Sequence, residues 1–362
     1  MAALWYVLLV SMLAGYLVLD GFDLGAGALH LFLGKNQSER QLLLRAIGPH
    51  WDGNEVWLIA AGGTLFFAFP AAYAAAFSGF YLPLTLVLWL LILRGIGVEF
   101  RGHLDDPLWQ AFWDVIFSVA SSLLAIVLGA ALGNVLRGVP LDTHGHFFVP
   151  LWTDFRTGPA IGALDWYTVA LALLAYAALA AHGARFLALR TEGALQARAR
   201  RLGALFGWAV GPLTVFDLWA TAHVRPDDAA SFGRAPWALL GLGAALVGWI
   251  GGLALCARRR DGAAFLASAL YLLGMFASVA IGIYPNLLPA PAGASGSLGI
   301  AATAAPEATL RAALTWWLVG MAIALVYVAA TFRIFRGKVE SGGGKATERD
   351  AFPAGRGLGS WR

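Results

Sequence analysis

The sequence has little charge and almost no cysteine. Only 13% of its 362 residues are charged and 59% are apolar. This composition excludes a soluble globular protein, because the apolar runs reach the length that crosses a bilayer. The single cysteine, Cys256, excludes a disulfide framework and a cysteine metal site. A P-loop is also missing, so no ATP-driven pump is encoded. These absences leave a polytopic membrane protein.

Histidine is scarce where a redox metal would need it. All seven histidines lie in loops or at the ends of predicted spans, and no His-x-x-x-His pair occurs. A haem or copper centre needs His, Met or Cys ligands that project into the membrane interior. We therefore predict no cofactor or metal site in this chain, and any redox metal is expected on a partner chain.

The apolar runs predict an all-α fold with about nine transmembrane helices. They lie at residues 3–28, 53–70, 74–96, 113–136, 163–187, 203–222, 235–257, 263–284 and 312–335. The first run has no small-residue cleavage site and is predicted to be retained as a span. Its glycines Gly21, Gly25 and Gly27 have the spacing that lets another helix approach closely.

The basic residues predict the orientation of these spans. With nine spans, 20 of the 25 Lys and Arg residues fall on one side of the membrane and the other five on the opposite side. Basic loops stay in the cytoplasm. We therefore expect the N-terminus outside and the C-terminus in the cytoplasm. The net charge of +4 is explained by these loops, and nucleic-acid binding is excluded.

The spans predict a single transmembrane domain over residues 1–337. It divides into a first four-helix bundle at 1–140, a second at 160–285 and a peripheral last helix at 312–335. The uncharged segment 285–306 is expected to form an irregular outer flap, and 338–362 a flexible cytoplasmic tail. A faint echo between Gly48-Pro49 and Gly211-Pro212 leaves open a duplication of the two bundles.

Two pairs of acids stand out near the inner ends of the first two spans. Asp20 and Asp23 are three residues apart, as are Asp52 and Glu55, so each pair shares one helix face. An ionisable group near the bilayer centre costs about 2.5–3.5 kcal/mol and is a functional candidate. Such a cluster suits proton uptake from the cytoplasm.

Structural roles for the same acids stay open at this point. Asp52 could cap the second helix by accepting hydrogen bonds from the backbone N–H groups of Asn54 or Glu55. Arg94, at the inner end of the third span, could neutralise an acid. Asp217, in the sixth span, could be a satisfied interior carboxylate.

Several segments resemble subunit II of the cytochrome bd-type quinol oxidases. The resemblance covers most of the chain and is most specific within residues 19–140. The matching segments are Leu19-Asp20-Gly21-Phe22-Asp23-Leu24-Gly25, Gly34-Lys35-Asn36 with Glu39-Arg40, Pro49-His50-Trp51-Asp52-Gly53-Asn54-Glu55-Val56-Trp57-Leu58, Phe69-Pro70, Tyr73-Ala74-Ala75-Ala76-Phe77-Ser78-Gly79-Phe80-Tyr81, and Gly133-Asn134 with Gly138-Val139-Pro140.

The resemblance implies a respiratory terminal oxidase that oxidises ubiquinol or menaquinol and reduces dioxygen to water. It implies a heterodimer in the bacterial cytoplasmic membrane, with haems b and d and the quinol-oxidising loop on the partner, subunit I. Subunit II would stabilise that partner and supply a cytoplasmic proton route. Small single-helix accessory subunits and a structural quinone in this subunit stay open.

The resemblance places the proton route on Asp52 and Asp23, with Trp51 beside them. Asp20 and Glu55 also match motif positions, and Glu55 is Gln in some relatives. Supporting roles are expected for Trp51, Asn54 and Arg94. Two rival interpretations remain: an ion-coupled carrier that uses the same acids, and a purely structural anchor for another subunit, in which every acid could be neutralised without loss of activity.

Overall fold

The computed structural model describes residues 1–158, 161–226 and 238–339. These ranges contain thirteen helices and one two-stranded antiparallel hairpin. The elements are α1 (Ala2–Ala28), α2 (His30–Leu33), α3 (Gln37–Ile47), α4 (Trp51–Ala68), α5 (Pro70–Gly79), α6 (Tyr81–Phe100), α7 (Pro107–Arg137), α8 (Trp166–Arg190), α9 (Gly193–Val224), α10 (Ala238–Ala257), α11 (Asp261–Ile283), β1 (Asn286–Leu288), β2 (Leu298–Gly299), α12 (Ile300–Thr303) and α13 (Glu307–Ile334).

The all-α polytopic fold is confirmed. Eight of the described helices are long and apolar enough to cross a membrane. The remaining predicted span is α4, which has 18 residues and is therefore about 27 Å long at 1.5 Å per residue. Polar residues in its first turn keep its hydropathy below that of the eight. The direction of crossing stays a prediction.

A proline separates the second predicted span from the third. Helix α4 ends at Ala68, and Pro70 occupies the first position of α5. Proline has no N–H to donate to a preceding turn, so it can begin a helix but interrupts one that continues through it. The third predicted span, 74–96, is also divided. It consists of two helices, α5 and α6, which meet at Phe80.

Helices α1 and α8 lie at the centre of the molecule. The most apolar window of α8 is 78% buried, the largest share among the eight long helices. A Cβ on Gly25 of α1 would lie 1.9 Å from the carbonyl oxygen of Leu179, and one on Gly27 would lie 2.1 Å from the hydroxyl of Ser121 on α7. The predicted close helix contact is confirmed. Because α1 packs against α4 and α7 as well as α8 and α11, the division into two bundles stays a prediction.

Alanine at Gly25 is expected to separate α1 from α8. The added methyl group would collide with backbone, and overpacking of this kind costs about 1–3 kcal/mol or more. The purified complex should therefore unfold at a lower temperature. Gly62→Ala is the matched control, since nothing lies within 4 Å of its Cβ position and alanine favours a helix over glycine. Equal melting temperatures for the two variants would contradict the close packing.

The last long helix, α13, is peripheral. None of its most apolar window is buried. Its C-terminal end is held by an aromatic stack between Phe332 and His50, with ring centroids 4.4 Å apart. Directly after α13, the Arg190 guanidinium donates to the carbonyl oxygen of Gly337. The predicted tail 338–362 lies outside the described residues beyond Val339.

Two expectations about local structure are wrong, and one sequence similarity does not extend to the structure. The segment 285–306 is not irregular throughout, because Asn286 pairs with Gly299 in a hairpin that α12 follows directly. His182 is not at a span end, since α8 continues to Arg190 and buries the ring completely. Pro212 lies inside α9, whereas Pro49 precedes α4, so the sequence echo joins positions that are not equivalent.

Candidate functional site

Asp20 and Arg94 form an ion pair inside the protein. The Arg94 Nη1 and Nη2 atoms donate to the two Asp20 carboxylate oxygens at 2.8 and 2.5 Å. Asp20 is fully buried and Arg94 is 1% exposed. Two parallel N–H···O bonds satisfy the charge and fix both side chains. The expectation that Arg94 neutralises an acid is confirmed, and the acid is Asp20.

Asp23 faces a different neighbour, although it is one turn further along the same helix. Its Oδ2 accepts a hydrogen bond of 2.7 Å from the Asn54 amide. The same Asn54 nitrogen also donates to the Leu19 carbonyl oxygen at 3.1 Å, which ties α4 to α1. Asp23 Oδ1 is buried and has no partner among the described residues. Asp23 is thus a buried carboxyl group with one oxygen free to bind a proton or a water.

Glu55 links the buried pair to the protein surface. Its Oε2 lies 3.5 Å from Arg94 Nη2, and its side chain is 19% exposed. Asp52, three residues earlier on α4, is exposed. It borders a cavity of about 240 Å³ between α1, α4 and α13, which is also lined by Met12, Gly53, Val56, Trp57, Ala60, Met321, Ala324 and Tyr327. The side chains therefore become more buried in the order Asp52, Glu55, Arg94, from the protein surface to its interior.

The capping alternative for Asp52 is wrong. Helix α4 begins at Trp51, its N-cap is His50, and no side chain caps it. Asp52 lies within the first turn, where the helix dipole favours a carboxylate. The ring of Trp51 faces Gly95 of α6. Burial and the nearby Arg190 lower the pKa of His50 to about 4, so this ring is neutral at physiological pH and takes no proton there.

A second cluster of buried charges escaped the sequence analysis. Asp114 of α7 is fully buried and accepts from His30 Nε2 at 2.7 Å, Arg101 Nε at 2.5 Å and Arg40 Nη1 at 3.2 Å. Arg101 also donates to Gln41, so the cluster fastens α3 to α6 and α7. An acid near the end of an apolar run was the available signal.

Asp217 of α9 is buried with both carboxylate oxygens unpaired among the described residues. The expectation that it is a satisfied interior acid is therefore wrong. A turn away on either side, Thr214 bonds the Tyr271 hydroxyl at 2.6 Å and Thr221 donates to the Asp217 carbonyl oxygen. Neither threonine reaches the carboxyl group itself.

His182 does not fit the ligation of a haem iron, because neither of its ring nitrogens is free. His182 uses both ring nitrogens, with Nδ1 2.7 Å from the Ser268 hydroxyl and Nε2 3.0 Å from the Val18 carbonyl oxygen. His30 uses Nε2 on Asp114, and its buried Nδ1 has no partner among the described residues. Across residues 1–158, 161–226 and 238–339, no three His, Cys, Asp or Glu side chains come together as a metal site. An iron would need a free ring nitrogen facing a cavity.

The sequence matches one protein family over nearly its full length. The model of that family, cytochrome bd terminal oxidase subunit II, covers residues 1–335. The probable cytochrome oxidase subunit 2 of Haemophilus influenzae is 32% identical over 365 residues, which is 93% of this chain and 95% of that protein. Cytochrome bd-I ubiquinol oxidase subunit 2 of Escherichia coli is 32% identical over 357 residues, or 90% of this chain and 92% of the relative.

The fold is similar to that of a solved membrane complex. A chain in the structure of bd oxidase from Geobacillus thermodenitrificans superposes with a TM-score of 0.74. The match covers 92% of this chain and 98% of the other, at 18% sequence identity. At this identity the similarity concerns the arrangement of helices.

Proposed function

Since this chain belongs to the family of cytochrome bd terminal oxidase subunit II, we propose that its inner-side acids carry protons to the haem-bearing partner subunit. The chain is a subunit of a terminal quinol oxidase, an oxidoreductase complex that contains haems and uses quinol. Its partner is subunit I. The ion-coupled carrier is not supported by these matches.

The cofactors belong to the partner in this proposal. Subunit I would hold haems b and d, which would supply the redox chemistry that oxidises ubiquinol or menaquinol and reduces dioxygen to water. None of the residues described here would bind a haem iron. The complex would lie in the bacterial cytoplasmic membrane, where protons drawn from the inside and electrons released from quinol outside would separate charge.

The proposed route follows the depth of the acids. Asp52 takes a proton at the surface, because it is exposed and lies in the first turn of α4. Glu55, three residues further and partly buried, passes it inward beside Arg94. Asp23 then holds it on the unpartnered Oδ1, from which it leaves for the partner. The observation that carries the proposal is this free oxygen on a fully enclosed carboxyl group.

Asp20 and Arg94 have a supporting role in this proposal. The Asp20 carboxylate is satisfied by two short bonds from Arg94 and is poorly placed to exchange protons. Instead, Arg94 places a positive charge beside Glu55, and Asp20 places a negative charge beside Asp23. Asn54 orients Asp23, and Trp51 packs α4 against α6.

Asparagine at Asp52 should lower oxygen consumption with quinol about tenfold or less, since water and Glu55 can partly replace an exposed proton acceptor. The assembled complex should keep its haem absorption spectrum. Asp105→Asn is the matched control, because Asp105 is also exposed, between α6 and α7, and lies off the route. Full turnover of the Asp52 variant would remove this residue from the route. Full turnover of all the acid variants would favour the purely structural anchor.

A further inference from the structure

Arg185 is a buried cation without a counter-charge. It lies on α8 and is 5% exposed. Its Nε and Nη2 atoms have no hydrogen-bond partner among the described residues, and no described carboxyl group forms an ion pair with it. The guanidinium group cannot lose its proton in a protein. An uncompensated buried charge is strongly destabilising, so a group outside the described residues is expected to compensate it.

The guanidinium group lies where α9 meets α10. A Cβ on Gly207 of α9 would be 2.7 Å from Arg185 Nη2, and a Cβ on Gly252 of α10 would be 2.9 Å from Nη1. A side chain at either position would crowd the guanidinium group, which would have to shift. On one side the helices are joined by Trp249, whose indole donates to the Gly207 carbonyl oxygen at 2.8 Å. Arg185 thus reaches through to the seam between two membrane helices.

The surroundings indicate the kind of anion. Large apolar side chains on the outer faces of the two helices are exposed, among them Leu205 and Trp208 on α9 and Val247 and Ile250 on α10. Such surfaces suit acyl chains. Arg185 lies five residues before the end of α8, and Gly252 five residues before the end of α10, which is roughly 8 Å of helix. This depth is near the inner headgroups, which buried arginines reach by extending toward the interface.

A basic turn lies just beyond the same end of α10. Arg258, Arg259 and Arg260 are all exposed there. Clustered basic residues at the cytoplasmic surface attract anionic lipid. A negatively charged headgroup would therefore be concentrated next to the seam that Arg185 occupies. The exposed apolar faces, the depth of Arg185 and the basic turn all indicate that the anion is a lipid headgroup.

We propose that Arg185, Gly207 and Gly252 form a site for the phosphate of an anionic phospholipid of the inner leaflet. The phosphate neutralises the guanidinium group, and the acyl chains lie along the exposed faces of α9 and α10. The site is separate from the acids of α1 and α4 and would bind lipid whether or not those acids carry protons.

The test compares tightly bound lipid in the purified oxidase complex by native mass spectrometry. Wild type should retain an anionic phospholipid that Arg185→Gln loses. Gly252→Val, which keeps the charge but fills the notch, should lose it too. Arg333→Gln, which removes an exposed arginine at the C-terminal end of α13 and outside this basic turn, should retain it. Equal retention in wild type and Arg185→Gln would overturn the proposal.

A second measurement separates the sources of phosphate. After delipidation, phosphatidylglycerol vesicles should raise the melting temperature of wild type by several degrees but leave Arg185→Gln unchanged. Inorganic phosphate should have no such effect, and stabilisation by phosphate alone would contradict a lipid source. If Arg185→Gln does not assemble, Gly252→Val decides: retained lipid in that variant contradicts the site. If Arg185→Gln loses subunit I but keeps the lipid, the anion is a side chain of the partner subunit and the lipid proposal is wrong.

Discussion

Replacing Arg94 with leucine is expected to abolish accumulation of the assembled oxidase complex. The substitution would leave the carboxylate of Asp20 fully buried without its two donors, and it would remove the cation 3.5 Å from Glu55. Breaking a buried ion pair by removing one partner costs about 3–5 kcal/mol, a large part of the stability of a typical domain. The amount of complex in membranes and its melting temperature measure the loss.

The companion variants separate charge from geometry. Lysine at position 94 keeps the charge but cannot form the paired bonds of a guanidinium group, so it should be intermediate. The double variant Asp20→Asn with Arg94→Gln removes both charges and should recover much of the loss, because no uncompensated ion remains. Arg258→Leu, at an exposed arginine, is the control. An Arg94→Leu complex with the wild-type melting temperature would show that the pair contributes little.

Asparagine at Asp23 is expected to reduce oxygen consumption by about a hundredfold, the usual scale for loss of a group that transfers a proton directly. Asparagine has nearly the same shape and can still accept the hydrogen bond from Asn54, but it cannot release a proton. The complex should therefore assemble with an unchanged haem spectrum. Quinol-driven oxygen uptake by the purified complex measures the effect.

Asn54→Leu gives the matching comparison for Asp23. It removes the hydrogen bond of 2.7 Å but leaves the acid, so turnover should fall less than in Asp23→Asn. The proposal requires this order. Normal turnover in Asp23→Asn, or a greater loss in Asn54→Leu, would mean that Asp23 serves packing between α1 and α4 and not proton transfer.

The sequence predicted the membrane helices and the inner acids but not their different surroundings. Long apolar runs identify spans directly, since a bilayer fixes their length. Asp20 and Asp23 share a helix face by spacing, yet Arg94 of α6 meets one and Asn54 of α4 meets the other. Which helix packs on which side of α1 depends on contacts distant in sequence. Periodicity within one helix therefore cannot separate a paired acid from a free one.

No helix is predicted from the sequence between the first two spans, so helix α3 was missed. A local signal was present: Asn36 caps the helix by accepting from the Glu39 N–H, and the Glu39 side chain accepts from the Lys35 N–H. This resembles the reciprocal capping at many helix starts. The Asp114 cluster had no capping signal of this kind. The acid itself was visible in the sequence, but its partners His30, Arg40 and Arg101 come from three separate elements.

The glycine contact between α1 and α8 has a consequence for biogenesis. Gly25 leaves the ribosome long before Gly183, the residue whose nitrogen would lie 2.9 Å from a Cβ at that position. During synthesis α1 is in the bilayer before α8, against which it packs, has been made. The acids Asp20 and Asp23 gain their partners only after Arg94 and Asn54 have been inserted. The packing of the first helix is thus completed only after the middle of the chain has emerged.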